Sequence, residues 1–406
     1  METNSNSKQK AESQPISYRI RHYLFADFDY RVDVVSNQLE RKAKKSTEWE
    51  LVNIYDVELE LYDYGLKGFK DALKALFCSK TIPRYDPFTA YFQNLPKWDA
   101  SQPDYIDHLA NFVKTEDSVW WKAMFKKWMV RCVGQAIGAG SFNKQCLTLV
   151  GKQNDGKTTF LDFLIPFPLK NNAKKGFDFG SKDGKISLVQ NFMINLDELA
   201  SFDKKELNNE FKTILSEGIV KYRPLFQNVE IAYPRKASFV ASTNQFEFLT
   251  DETGNVRWLP FIVKEILHDN GGSNGYKAQV DMNKVWSQAY ALLNDPSFGP
   301  DMTNEEIKTL ELYNRKFLRT TTEMEIISKY FEPAEKGDQG AEFYTAADIE
   351  QYLRTKVSLK LYRNQIGKAL QIMGFPQVSS YNTHKKYTEK GYYILQKQNN
   401  TYSITR

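Results

Sequence analysis

The sequence predicts an α/β fold built around a phosphate-binding loop, and three observations predict it. The run Cys146-Leu-Thr-Leu-Val150 leads into Gly151-Lys-Gln-Asn-Asp-Gly156-Lys157-Thr158, and the apolar segment Thr159-Phe-Leu-Asp-Phe-Leu164 follows at helical spacing. Further short apolar runs recur at 192–196, 238–242 and 258–263, the length that a buried parallel sheet uses. Two of them end in polar residues, Asp197-Glu198 after the first and Asn244 after the second.

The loop matches G-x-x-x-x-G-K-[ST] without a mismatch, in the strand–loop–helix context that gives the pattern its meaning. Gly151 and Gly156 let the backbone curl until several N–H groups point at one phosphate, at the positive end of a helix. Lys157 would neutralise the β/γ oxygens, and the Thr158 hydroxyl would ligate Mg²⁺. Asn154, Asp155 and Thr159 complete the predicted nucleotide-binding set, so ATP and Mg²⁺ are the expected cofactors. Forty positions after Lys157, Asp197 would hold the Mg²⁺ and Glu198 would polarise the attacking water. An acidic strand end is common by itself; beside a phosphate loop it becomes a catalytic pair. Asn244, at a third strand tip, would hold that water against the γ-phosphate. Gly151 to Asn244 spans 93 residues, a compact nucleotide-hydrolysing core.

Five segments are expected: a lead-in at 1–15, an N-terminal α+β collar-like region at 16–139, and the loop-bearing core at 140–265. A helical extension at 266–340 and a basic unit at 341–406 complete the chain. In the first half, Tyr30-Arg-Val-Asp-Val alternates like a strand, Ser36-Asn37 could turn it, and Leu39-Glu-Arg-Lys-Ala could return it. Phe69, Ala72, Leu73, Leu76 and Phe77 fall at helical spacing, and a long helix is expected from about Glu116, with Trp120, Trp121, Met124, Trp128 and Val130 as core. Leu24-Phe-Ala-Asp27-Phe-Asp29 imitates a two-carboxylate metal motif, but the fold around it is too small for a primase. It is read as a strand and turn. The other histidines, His108, His268 and His384, sit in no ligand-like cluster.

Composition excludes several classes. At 41% hydrophobic and 26% charged, the chain has no apolar run near the length of a membrane helix. Its first residues lack the apolar stretch of a signal peptide. Three cysteines without paired spacing support neither a disulfide framework nor a zinc site, which predicts a reduced, cytoplasmic setting.

Taken together, the loop, the Asp-Glu strand end and the Asn-tipped strand resemble the superfamily 3 helicases of viruses and plasmids. Tyr91-Phe-Gln-Asn-Leu-Pro-Lys-Trp98-Asp99 and Thr253-Gly-Asn-Val-Arg257-Trp-Leu-Pro-Phe261 narrow the resemblance to the virulence-associated E (VapE) family of phages and mobile elements, over roughly residues 80–265. The resemblance implies an AAA+-like P-loop core in a homo-oligomeric, hexameric ring, with ATP held between subunits. Arg257 stands where the family places an arginine that acts across the boundary. The family often has two consecutive arginines there and this chain has Val256-Arg257, so Arg235 is the second candidate. A replication loader or primase is an implied partner.

Two segments are read as DNA-facing. Residues 221–236 alternate around Gln227-Asn228 and form an expected β-hairpin. Lys221, Arg223, Arg235 and Lys236 would track the phosphates of single-stranded or forked DNA, with Phe226 stacking on bases. In 341–406 the net charge is +6, against −1 for the remaining 340 residues. Two helices and two strands there read as a winged helix. Ile366, Ala369, Leu370 and Met373 would face its core, Arg363, Asn364, Gln365 and Lys368 a DNA groove, and Lys385 and Lys386 the wing. The function so predicted is an ATP-dependent DNA helicase or translocase. Its alternative is an ATP-gated DNA-binding assembly protein without unwinding activity.

Overall fold

The computed structural model describes residues 14–140, 142–196, 205–223, 229–249, 255–383 and 386–397. The chain divides into two units: Met1–Asn244 with Arg257–Asn304, and Gln245–Val256 with Glu305–Arg406.

The first unit opens with α1 (Ile16–Asp27), β1 (Phe28–Asp33) and β2 (Gln38–Ala43). The strands pair antiparallel with Val32 opposite Leu39, the return expected after Ser36-Asn37. Asn37 makes the turn at φ +56°, a left-handed conformation that Asn tolerates better than most residues. With β3 (Glu50–Leu51) and β4 (Arg84–Tyr85) the sheet runs β3-β2-β1-β4. Helices α2 (Ile54–Asp63) and α3 (Lys70–Cys78) share a core with it that buries Ile20, Leu24, Tyr30, Val57, Leu61, Phe69 and Leu73. The stretch around Asp27 is not a strand and turn. Ile20 and Leu24 are buried one helical turn apart on α1, the helix runs to Asp27, and Phe28 and Asp29 open β1, where Asp29 pairs with Lys42 at 3.8 Å.

A larger layer follows, made of α4 (Pro87–Gln93), α5 (Tyr105–Ala110), β5 (Val113–Thr115), α6 (Ser118–Ile137), β6 (Cys146–Val150), α7 (Lys157–Phe163), β7 (Ala173–Lys175), α8 (Lys182–Gln190), β8 (Met193–Leu196) and α9 (Lys205–Ser216). It continues through β9 (Ile219–Tyr222), β10 (Ile231–Pro234), β11 (Ser238–Thr243), β12 (Trp258–Ile266), α10 (Tyr276–Gln279) and α11 (Met282–Leu293). The sheet order is β5-β12-β6-β11-β8-β7, parallel except where β5 joins β12. Strands β6, β8 and β11 are buried throughout, which explains why their sequences are largely apolar, with Thr148, Asn195, Ser238, Ser242 and Thr243 as their buried polar members.

Helix α6 packs against the central sheet. Asp117 caps its start by accepting the N–H of Trp120, and Gly138 ends it at φ +72°. Trp121, Met124, Phe125 and Trp128 are buried, and the Trp121 ring meets Phe261 of β12 at 4.8 Å. Residues from β5 onward therefore belong to the central sheet and not to the N-terminal layer. Trp121 and Trp128 keep their indole N–H groups satisfied by donating to Ala110 O (3.0 Å) and Gln145 O (3.2 Å). Trp120 is only half-buried. Trp121→Ala is expected to destabilise the fold by about 3–5 kcal/mol, measured by denaturant unfolding, because it empties a large core site.

Strands β9 and β10 form the expected antiparallel hairpin, with Lys221 opposite Ala232. Residues 224–228, including Phe226 and the Gln227-Asn228 pair, lie outside the described residues. The Tyr222 and Tyr233 rings stack across its base at 4.8 Å. Asn37 donates from Nδ2 to the Tyr222 hydroxyl (3.2 Å), and Gln190 donates from Nε2 to Ser36 O (3.2 Å). The β1–β2 turn thus fastens the N-terminal layer to the hairpin base.

The second unit holds most of α12 (Asn304–Asn314), then α13 (Thr322–Tyr330), β13 (Phe331–Pro333), β14 (Glu342–Tyr344), α14 (Ala346–Lys356), α15 (Arg363–Ile372), β15 (Gln377–Asn382) and β16 (Tyr387–Gln396). Strand β16 pairs antiparallel with β13, β14 and β15. Thr345 and Asp348 close a capping box at the start of α14. Ile366, Ala369 and Leu370 are buried as expected, and Met373 packs against them. The same core takes Ile326, Ile327, Tyr330 and Phe331. Among the described residues no helix is long and apolar enough to cross a membrane.

Candidate functional site

Strand β11 lies between β6 and β8, pairing Thr243 with Val150 on one side and Ala241 with Leu196 on the other. Three parallel strands therefore end side by side. The first releases the loop from Gly151, the second ends at Ser242-Thr243-Asn244, and the third ends at Leu196, immediately before Asp197. Such an edge is where open α/β sheets gather ligand-binding residues. Asp197 and Glu198 themselves lie outside the described residues.

The loop is held from several directions. Gly151 donates its N–H to Thr243 O at 3.1 Å. A Cβ at Gly151 would lie 3.1 Å from Val263 O of β12, so any other residue here would have to push that strand back by a few tenths of an ångström. Asn154 and Gly156 take φ +66° and +79°, and Gly156 forms the N-terminal boundary of α7. Lys157 is only 7% exposed. Its ammonium donates to Gly151 O (3.0 Å) and to Lys152 O. Burial lowers its pKa below the ordinary lysine value, with Asp155 opposing. The curled backbone holds the Lys157 ammonium inside the loop.

Thr158 Oγ1 and Ser242 Oγ share a hydrogen bond at 3.0 Å, which joins the first turn of α7 to the tip of β11. Ser242 was not singled out in the sequence, although it belongs to the polar strand end that drew attention to Asn244. Asn244 itself is exposed just past β11. Beneath the loop, the buried Asn195 of β8 donates to Asp162 Oδ1 of α7 (3.0 Å), and Lys175 of β7 pairs with Asp162 at 2.7 Å. This polar link ties the helix to the two strands on the acidic side of the site.

The basic residues divide. Lys221 and Arg223 are exposed on the hairpin. Arg235 and Lys236, expected to track DNA, are instead buried in the core. Arg235 is 0% exposed; its Nη2 donates to Asn143 O (2.7 Å), its guanidinium lies 4.6 Å from the Phe142 ring centre, and burial lowers its pKa. It cannot reach a neighbouring subunit either, which removes it as the second arginine candidate. Lys236 pairs with Asp86 at 2.8 Å and donates to Ala136 O at 2.7 Å. The chain turns inward after Pro234 to enter β11, carrying both side chains beneath the hairpin. Arg257, half-buried, donates from Nε and Nη2 to Ser216 Oγ at 3.0 and 2.8 Å, at the C-terminal end of α9.

In the second unit, Arg363, Asn364, Gln365 and Lys368 are all exposed on α15, and Arg363 lies 3.7 Å from Glu350. Lys386 is exposed at φ +55° in the β15–β16 turn, while Lys385 lies outside the described residues. Tyr362, Tyr381 and Tyr387 are more than half exposed around them.

The family described as virulence-associated protein E-like domain matches residues 92–319. Among solved structures, the chain is similar to "The apo structure of NrS-1 C terminal region (305-718)" at 11% identity, covering 95% of this chain and 100% of that one, with a TM-score of 0.46. It is also similar to "SCCmec type IV Cch - active helicase" at 11% identity, covering 91% and 92% of the two chains, with a TM-score of 0.34. No curated protein matches the chain.

Proposed function

This chain belongs to the virulence-associated protein E-like domain family, and from that premise we propose that it is a Mg²⁺-dependent ATPase. It drives a DNA helicase or translocase in the replication of a phage or mobile element. The observation that carries the reading is the convergence of Lys157, Thr158 and the β11 tip at one sheet edge, beside the strand that runs into Asp197-Glu198.

The residues fit a phosphate chain and its metal. Lys157 exchanges its carbonyl partners for phosphate oxygens, a gain because a buried ammonium prefers an anion to two neutral acceptors. Thr158, through the hydroxyl that bonds Ser242, and Asp197 would hold Mg²⁺. When bound, Mg²⁺ supplies Lewis-acid neutralisation of the β/γ oxygens. Glu198 takes a proton from the attacking water, and Asn244 orients that water. Arg257 reaches the nucleotide of a neighbouring subunit in a homo-oligomeric ring. Elsewhere such an arginine contributes about 10³–10⁵ in rate.

The exposed Lys221 and Arg223 grip single-stranded or forked DNA. The second unit is a winged helix: α13, β14, α14 and α15 precede the β15–β16 hairpin in that fold's order. Helix α15 is the groove-reading element, with Arg363 and Lys368 toward phosphates and Lys385 and Lys386 on the wing.

The test is steady-state ATP hydrolysis with and without single-stranded DNA. Many-fold stimulation supports a motor; turnover indifferent to DNA overturns it in favour of an ATP-gated assembly protein. The double variant Lys221→Ala/Arg223→Ala is expected to weaken single-strand binding and flatten its log–log salt dependence by about 1.4, two contacts at roughly 0.7 each. An unchanged slope would take these residues off the DNA path.

A further inference from the structure

Strand β12 ends at Ile266, and the chain then winds tightly through residues 268–275 before α10. Asp269, Asn270 and Gly271 take φ +50°, +35° and +96° in succession. Asp269 O accepts the N–H of Gly272 at 2.6 Å, and Asp269 Oδ2 accepts that of Asn274 at 2.7 Å. A Cβ at Gly272 would fall 2.3 Å from Asp269 Oδ2, which that side chain would have to vacate, and one at Gly275 2.3 Å from the backbone His268 O, so the winding needs glycine at 275. Left-handed backbone at two consecutive non-glycine residues persists only where its surroundings over-determine it, commonly beside a ligand.

The ligand is indicated by what the loop is pressed against. A Cβ at Gly156 would lie 3.1 Å from His268 Cδ2 and 3.7 Å from Nε2, so the imidazole rests on the last glycine of the phosphate loop. His268 Nδ1 accepts the N–H of Asn270 at 3.3 Å. That bond assigns the neutral ring's proton to Nε2, leaving a donor on the loop side. The ring is half-buried, whereas Asp269 and Asn270 beside it are exposed.

This set does not suit a polyphosphate. A carboxylate and an amide flank the imidazole, and the cation for phosphate oxygens, Lys157, approaches from within the loop. It suits a nucleoside, whose ribose hydroxyls and base offer uncharged donors and acceptors together. We infer that His268 is a nucleoside-contacting residue of this site, donating from Nε2 to an acceptor on the sugar or base, with Asp269 and Asn270 completing that wall. The inference rests on the reading of the 151–158 loop as a nucleotide site, and it adds the part that tells a nucleotide from a bare phosphate chain.

The test displaces a fluorescent ADP analogue from the full chain with either ADP or inorganic tripolyphosphate. His268→Ala is expected to weaken ADP about tenfold, the scale of one lost hydrogen bond with its contacts, while leaving tripolyphosphate unchanged. His268→Gln, which returns an N–H near the Nε2 position, is expected to recover most of the loss. Equal weakening of both competitors would mean that His268 merely supports the loop, and no weakening of either would mean that it touches nothing; each overturns the inference. Lys157→Ala separates the underlying reading, because it should weaken both competitors. If it weakens neither, or if the parent chain binds neither, the nucleotide site itself is misassigned.

Discussion

Lys157→Ala is expected to lower ATP hydrolysis by about 10²–10³-fold, the loss typical when one preorganised charge partner of a transition state is removed. The reason is positional. Lys157 enters at the first position of α7 and is carried inside the curl of the loop, 3.0 Å from Gly151 O, with its charge already desolvated. No water can replace it there at equal strength, and no other lysine of α7 exists to substitute. Preserved turnover in this variant would remove the loop from the catalytic site. A second readout needs no substrate. Because burial lowers the Lys157 pKa, the unfolded chain binds this proton more tightly than the folded chain. The destabilisation is fully present at pH below the folded value and is lost as pH rises toward the ordinary 10.5. Thermal scans of the nucleotide-free protein across the alkaline range should therefore show a stability gain with pH that Lys157→Ala reduces.

Glu198→Gln is expected to retain ATP binding while hydrolysis falls by about 10²–10⁴-fold, because the amide keeps the shape of the carboxylate and loses its basicity. The measurement is rapid quench of pre-bound ATP alongside equilibrium binding. Loss of binding together with hydrolysis would assign Glu198 to folding or metal retention, and undiminished hydrolysis would pass the base's role to another group. The contrast with Lys157→Ala is informative, since one variant disables the phosphate cradle and the other only the proton transfer.

Much of the central sheet layer was legible in the sequence because its signals are local. A buried parallel strand is apolar at most of its positions, so β6, β8, β11 and the first half of β12 announce themselves as short runs. Glycines at fixed spacing report a loop that must curl, and the side chains following Gly156 are set by the helix that starts there. The helices of the second unit were equally readable, since Ile366, Ala369 and Leu370 recur at helical spacing and are buried together.

What failed depended on contacts between distant segments. Basic residues at 221, 223, 235 and 236 look alike in sequence. Burial depends on where the backbone goes after Pro234, and it goes under the hairpin, so Arg235 and Lys236 meet Asn143 and Asp86 in place of solvent. The Trp121–Phe261 contact and the union of Ile326 with Leu370 in one core likewise join segments far apart in the chain.

The sequence by itself determined that a phosphate loop, an Asp-Glu strand end and an Asn-tipped strand occur in one compact α/β segment, because each is written within a few consecutive residues. Only the tertiary structure decided that β11 separates the other two strands, that Ser242 reaches Thr158, and that His268, 112 positions beyond Gly156, rests on the loop. Strand order and side-chain neighbours arise from packing between elements, and no local pattern of residues encodes them.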